Sequence, residues 1–225
     1  MVIIAKKEFD TLCEPYGITV NDEEYAVYDR CISMLLEKNK VMNLTRITEP
    51  AEVSEKHILD SLLIFRYSQI NSCESVIDVG TGAGFPGVVM KIHDPSLDIT
   101  LLDSLRKRID FLANVAENTY PMKCIHSRAE DAGRGDMREK YDVACARAVA
   151  AFPVLCEYCL PLVKVGGRFI SMKGPNEDID PLQAEIFGGK VTDDRKYTLP
   201  CGDERRIITV EKVAETPKKY PRRKI

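Results

Sequence analysis

Val76-Ile77-Asp78-Val79-Gly80-Thr81-Gly82-Ala83-Gly84-Phe85-Pro86-Gly87 joins a strand to a helix through a glycine loop. Val76, Ile77 and Val79 are β-branched or apolar, the pattern of a strand covered on both faces in a parallel sheet. Gly80, Gly82, Gly84 and Gly87 follow within eight residues, so the chain can take positive φ and let a ligand approach bare backbone. Pro86 stands where a first helical turn opens, which suits its fixed φ and missing N–H. Strand, loop and helix start together describe the first crossover of a nucleotide-binding α/β sheet.

Two cofactor classes compete for this loop. Gly82-x-Gly84-x-x-Gly87 fits the dinucleotide fingerprint, with Asp103 at about the right distance for a ribose hydroxyl. The alternative takes Asp78-x-Gly80-x-Gly82-x-Gly84, led by a carboxylate at the strand's end. An acid would repel a pyrophosphate but attract the ammonium of S-adenosylmethionine. Charge reasoning therefore favours the methyl donor. Asp78 could instead cap local backbone N–H groups.

Around this stretch, 225 residues suit one large domain, or one with a helical appendage. Charged residues at 30% and hydrophobic ones at 44% are ordinary for a soluble globular chain. A net charge of −3 supplies no global pull towards nucleic acid, so an RNA site must be a local patch. Eight cysteines and no signal-like N-terminus predict reduced thiols in a cytoplasmic protein. Cys156-x-x-Cys159 lacks a second pair, which favours helix packing over a metal. Arg147 and Pro153 interrupt the apolar run from Val143 to Cys156, so no transmembrane span is expected.

Residues 1–70 read as a helical cap. Asn21 and Glu24 form a possible capping box, followed by Tyr25, Tyr28, Ile32, Leu35 and Leu36 at helical spacing. A second helix is expected from Pro50 to about Tyr67, with His57, Asp60 and Ser61 close together on it. On sequence alone a solvated face or a local cap is the favoured reading of those three. The core, 71–213, alternates strands and helices. Strands are expected at 75–80, 98–103, 123–127, 141–146 and 167–172, with a closing hairpin near 190–199 and 206–213. Helices are expected at about 86–92, 105–118, 152–164 and 177–187. Gly166-Gly167 reads as a tight turn into the fifth strand. Residues 214–225 hold five basic residues from Thr216 onward, no acidic one there, and two prolines. They read as a mobile tail that either touches phosphate or serves solubility.

This order brings several side chains to one sheet edge, where open α/β sheets bind ligands. Asp103 ends the second strand, as a ribose partner or an N-cap. Ala129 and Glu130 follow the third strand, Arg147 the fourth and Lys173 the fifth. A charge at Arg147, ending a buried strand, is costly without a partner, so it should serve the site or a structural salt bridge.

Four blocks carry a family resemblance: N-L-T-R-I with K-H-I-L-D-S-L, D-V-G-T-G-A-G-F-P-G, L-L-D-S-L-R-K-R-I-D-F-L, and S-R-A-E through A-R-A to M-K-G. The chain resembles the bacterial small-subunit ribosomal RNA guanine-N7 methyltransferases of the RsmG family, also called GidB. The resemblance implies a Rossmann-like class I methyltransferase fold: a mostly parallel seven-stranded sheet flanked by helices, with an N-terminal helical extension. It implies S-adenosylmethionine as donor and N7 of one guanine in the 530 loop of 16S RNA as acceptor, on free RNA or the small subunit. With the glycine loop it places the cofactor on Asp78, Gly80, Gly82, Gly84, Phe85, Ala129, Glu130 and Arg147, with Asp103 at the ribose. His57, Asp60, Lys173 and Arg205 are expected on the RNA side, and Arg147 and Lys173 are the catalytic candidates. A monomer is expected, with no metal. Further phosphate contacts are Arg106, Lys107, Arg108, Arg206 and the tail.

The chemistry fits what the sequence contains. Guanine N7 has an in-plane lone pair and no hydrogen, so its methylation needs no general base. Just after the fourth strand there is neither an N-P-P-Y-like motif nor a Pro-Cys pair to offer a nucleophile. A methyltransferase for a small molecule or another RNA, a nicotinamide oxidoreductase, and a non-catalytic RNA-binding module remain alternatives at this stage.

Overall fold

Alternation along β1 (Ser75–Val79) divides the interior in two. Val76 joins one apolar cluster and Ile77 and Val79 the other, because successive strand side chains point to opposite faces. The computed structural model describes residues 2–176 and 179–223. Its seven-stranded sheet has the order β3-β2-β1-β4-β5-β7-β6, with β2 at Asp98–Asp103 and β3 at Lys123–His126. The others are β4 (Tyr141–Arg147), β5 (Val163–Lys173), β6 (Gly189–Thr198) and β7 (Glu204–Lys212). β1 to β5 run parallel, and β7 inserts antiparallel between β5 and β6. The order reverses between β1 and β4. That reversal opens the crevice at the strands' carboxyl ends.

One face of the sheet is covered by α5 (Gly87–His93), α6 (Arg106–Asn118) and the N-terminal helices. Those are α1 (Lys6–Cys13) and α2 (Asp22–Met42), then α3 (Pro50–Glu52), a π-helical stretch Val53–Leu59, and α4 (Asp60–Tyr67). The Asn21–Glu24 capping box is formed, with both reciprocal hydrogen bonds present. Phe9, Tyr28, Leu35, Leu59 and Leu62 share one apolar cluster with Val76, Leu101 and Ile170 of the sheet. The helical cap therefore packs as a layer of the core. Truncating any of its buried leucines to alanine should cost about 2–5 kcal/mol. The other face carries α8 (Phe152–Cys159), where Cys156 and Cys159 lie buried among Phe152, Leu155, Phe169 and Ile208.

Four expectations change. The helix expected over 152–164 ends at Cys159, because Pro161 sits in a short 3-10 turn, Leu160–Leu162, that cannot continue an α-helix. β5 then starts at Val163, and Gly166 and Gly167 lie within it where its register against β4 shifts. Of the helix expected over 177–187, α9 (Leu182–Glu185) is formed, while residues 177 and 178 lie outside the described residues. The segment after β7 is docked. Thr216 and Pro221 are buried, and Arg222 pairs with Glu157. Residues 224 and 225 lie outside the described residues.

Candidate active site

The glycine loop is tied to the end of β2. Gly80 N and Thr81 N donate to Leu102 O at 2.8 and 3.1 Å, and Gly82 N donates to Asp103 Oδ2 at 3.0 Å. Gly80 and Gly82 hold φ of +70° and +62°, which turns the chain across the sheet edge. Gly84 and Gly87 do something else. A Cβ on Gly84 would strike Val88 and Leu112, and one on Gly87 would strike Leu101 and Asp78. These two glycines permit close helix packing and line neither cavity described below. Gly84, expected at the cofactor, thus lies outside both cavity linings, and it is the glycine that the dinucleotide fingerprint would bring against a pyrophosphate.

Asp78 also changes place. Its parity on β1 turns the side chain under α5, where Oδ2 accepts from Thr81 Oγ1 at 2.6 Å and Gly87 N at 2.9 Å. The carboxyl is fully buried and lines neither cavity; Oδ2 staples the loop to the helix start, while Oδ1 has no hydrogen-bond partner among the described residues. Burial pushes its pKa up to about 6, despite the opposing hydrogen bonds from Thr81 and Gly87.

Two cavities adjoin at Gly80. The smaller, about 220 Å³, is lined by Leu102, Asp103, Ala129, Glu130, Val149 and Tyr158, among others. Asp103 is buried, with Oδ1 on Leu105 N at 2.9 Å and Oδ2 shared between Gly82 N and Arg108 Nη1. A carboxylate has about four lone-pair sites, so acceptor capacity remains for ribose hydroxyls. The larger, about 460 Å³, includes Thr45, His57, Asp60, Phe85, Arg147, Lys173, Tyr197 and Arg205 in its lining. A bipartite ligand, nucleoside in one lobe and a charged chain in the other, fits this pair. The backbone between them must be bare, since a Cβ on Gly80 would lie 2.8 Å from Val149.

The larger cavity is organised by Arg147. Its Nη1 donates to Asp60 Oδ2 at 3.0 Å, Lys56 O at 3.2 Å and Ser61 Oγ at 3.3 Å. Asp60 Oδ1 accepts from the Tyr197 hydroxyl at 2.9 Å, and Arg205 Nε lies 3.8 Å away. The salt bridge anticipated as one role for Arg147 therefore exists, and the same side chain lines the cavity. Its guanidinium carbon stands 5.2 Å from the centre of the Phe85 ring. His57 stacks directly on the Phe85 ring, with centroids 4.4 Å apart and planes 13° from parallel. Thr45 Oγ1 meets His57 Nε2 at 2.9 Å. Burial, reinforced by Arg147, pulls the imidazole pKa down to about 3. It is therefore neutral at physiological pH. The π-helical stretch Val53–Leu59 carries His57 and ends just before Asp60, and such bulges are frequent at functional sites.

Lys173 is buried beside the larger cavity, and its ammonium donates to Ala150 O, fastening the loop after β4. In that loop Ala148 holds φ of 55°, an uncommon value for alanine. Arg205 lines the same cavity and bonds Asp203. Arg106 and Lys107 are exposed, Arg108 is committed to Asp103, and Arg206 to Asp194. Tyr197 and Thr45 were not singled out by spacing. Tyr197 stands in an ordinary alternating strand, and only strand pairing brings it to a helix 137 residues away.

Comparison with known proteins places the chain by family and by fold. The family described as rRNA small subunit methyltransferase G, GidB, matches residues 25–204. "Ribosomal RNA small subunit methyltransferase G" of Alkaliphilus metalliredigens is 45% identical, over 94% of this chain and 92% of its own length. The protein of the same name from Leuconostoc mesenteroides is 42% identical, over 97% and 95%. Among solved structures, a SAM-dependent methyltransferase from Aquifex aeolicus superposes with a TM-score of 0.56 at 12% identity, covering 75% of this chain and 96% of that one. A 16S rRNA (adenine(1408)-N(1))-methyltransferase from Catenulisporales acidiphilia gives 0.53 at 13%, covering 64% and 87%. At such identities the likeness is one of fold: a Rossmann-like methyltransferase sheet.

Proposed function

The chain belongs to the rRNA small subunit methyltransferase G family, and from that membership we propose that it methylates N7 of a guanine in the 530 loop of 16S ribosomal RNA. S-adenosylmethionine supplies the electrophilic methyl group. The observation that carries the reading is the pair of cavities meeting at Gly80, one walled by Asp103, Ala129 and Glu130, the other by Phe85, His57 and Arg147.

In this reading Asp103 accepts from the ribose hydroxyls, and the backbone of Ala129 and Glu130 borders the base. Phe85, stacked on His57, forms an apolar wall near the transferred group. Arg147, anchored through one nitrogen by Asp60, keeps its remaining donors for an acceptor on either substrate. Lys173 and Arg205 contribute positive charge where the RNA backbone enters. No side chain is asked to remove a proton. With a pKa of about 3, His57 is too weak a base to do so, and N7 has none to lose. Rate enhancement then comes from alignment at near-attack distance, which can supply roughly 7–11 kcal/mol. We place this activity in the cytoplasm, in a chain acting as a monomer.

Incubating the purified chain with labelled donor and small subunits lacking the modification should yield N7-methylguanine at one position in the 530 loop. Label on another base, or no affinity for S-adenosylhomocysteine by calorimetry, would overturn the assignment. A second arm with NAD excludes the oxidoreductase.

A further inference from the structure

The segment after β7 is held by an unusual density of charged groups. The ammonium of Lys212, fully buried, donates to Leu160 O and Thr216 Oγ1 at 2.5 Å each and lies 3.2 Å from Glu139. Thr216 N donates to Glu139 Oε1 at 2.9 Å. Arg138 reaches three carbonyls: Gly133 O at 3.0 Å, Tyr220 O at 2.9 Å and Thr216 O at 2.5 Å. Arg134 donates to Pro221 O. Tyr220 packs edge-on against Phe187 with ring centres 4.9 Å apart. Finally, Arg222 makes a two-pronged pair with Glu157, at 3.0 Å from Nε to Oε1 and 2.7 Å from Nη2 to Oε2, and adds its own N–H at 2.7 Å.

Three of the body-side anchors, Arg134, Arg138 and Glu157, adjoin elements that wall the smaller cavity. Arg134 and Arg138 follow α7 (Ala129–Ala132), which presents Ala129 and Glu130 to that cavity. Arg138 also bonds Gly133 O, at the end of α7. A Cβ on Gly133 would lie 3.2 Å from Pro221 Cγ, so the segment sits directly on that helix end. Glu157 precedes Tyr158, which lines the same cavity from α8, and α7 packs on α8. A four-residue helix has little stability of its own. External ties must hold it.

We propose that residues 216–222 form a strap that positions Ala129, Glu130 and Tyr158 for the adenosyl end of the methyl donor, with Arg138 and Arg222 as positioning residues. The strap acts on donor affinity and not on RNA contact. The carbonyls of Thr216, Tyr220 and Pro221 are spent on Arg134 and Arg138, and the Arg222 guanidinium, though its side chain is 60% exposed, is spent on Glu157. Glu157 fits this role. Its carboxylate is 1% exposed, and although burial pushes its pKa up, the Arg222 hydrogen bonds outweigh that and hold it below the ordinary value.

The inference rests on the smaller cavity being the nucleoside lobe, so the test uses the full chain and begins with the parent. Calorimetry with S-adenosylhomocysteine is run on the parent, Arg222→Ala, Arg222→Lys and Glu157→Gln, with donor KM, kcat and 16S RNA affinity measured in parallel. For Arg222→Ala, the product's Kd and the donor's KM should rise about five- to tenfold, while kcat at saturating donor and RNA affinity stay within about twofold. Glu157→Gln should shift the same two quantities in the same direction, and it carries the test if Arg222→Ala melts below assay temperature. Arg222→Lys should recover part of the loss. If the parent binds and both substitutions leave donor affinity unchanged, the strap has no such role. Weakened RNA binding with unchanged donor affinity also overturns it. A parent that fails to bind removes the reading of the cavity itself, and the strap with it.

Discussion

The hydroxyl of Tyr197, on β6, donates to Asp60 Oδ1 at 2.9 Å, while the other oxygen of that carboxylate holds Arg147. One carboxylate thus couples the sheet's far hairpin to the guanidinium lining the larger cavity. Tyr197 is buried, and burial followed by the Asp60 charge holds its phenol protonated, well above the ordinary value. It can only donate.

Tyr197→Phe should therefore leave the fold intact and loosen Asp60. A hydrogen bond to a charged group is worth about 1.5–3 kcal/mol. Part of that is recovered from the nearby Arg205, so methylation should fall about three- to tenfold. Single-turnover rates on unmodified subunits, alongside melting curves, check this. An unaltered rate would remove Tyr197 from the network.

Arg147→Lys tests the anchor itself. A lysine keeps the charge opposite Asp60, which alanine would leave buried without its main partner at a cost of about 3–5 kcal/mol. Lysine cannot hold Asp60 and also present a second edge to the cavity. Methylation should drop at least about tenfold with a Tm change of only a few degrees. A rate close to the parent's would reduce Arg147 to a structural ion.

The pH profile of the chemical step should be flat from pH 7 to 9. His57, depressed to about 3, stays neutral throughout, and Asp78, at about 6, lies behind the loop. A sigmoidal rise in the single-turnover rate across that window would reveal a proton carrier and contradict attack by an unprotonated ring nitrogen.

Asp78 predicts an inverted stability profile. Its folded-state pKa, about 6, exceeds the ordinary 3.8, so the folded chain binds the proton more tightly. Its contribution is fully present below pH 3.8 and is lost as pH rises through about 6. The gap of about two pH units corresponds to at most about 3 kcal/mol. Relative to Asp78→Asn, the parent should gain stability as pH falls from 7 to 4, read as the difference between their denaturant midpoints. A constant difference would show that burial does not raise this carboxyl.

Much of the architecture was legible because it follows from local rules. The 76–87 stretch announced β1, the turn and α5, and the Asn21–Glu24 pair announced α2. Where the reading missed, a longer-range effect won. Pro161 cut the helix short and let β5 begin early. The last ten residues read as a free basic tail because composition reports charge but not partners. Glu139 and Glu157, which receive Thr216 and Arg222, lie more than sixty residues away in sequence.

By itself, the sequence determined the order of strands and helices, the family, and which residues reach the carboxyl edge. The first and last depend on periodicity, glycine and proline, which act between near neighbours; the family came from the resemblance of four motif blocks. Tertiary structure alone decided what each group does there. Asp78 turns under α5, Gly84 serves packing, and Asp60 is shared between Tyr197 and Arg147, because side-chain direction and burial are set only when the sheet closes against its two helical layers.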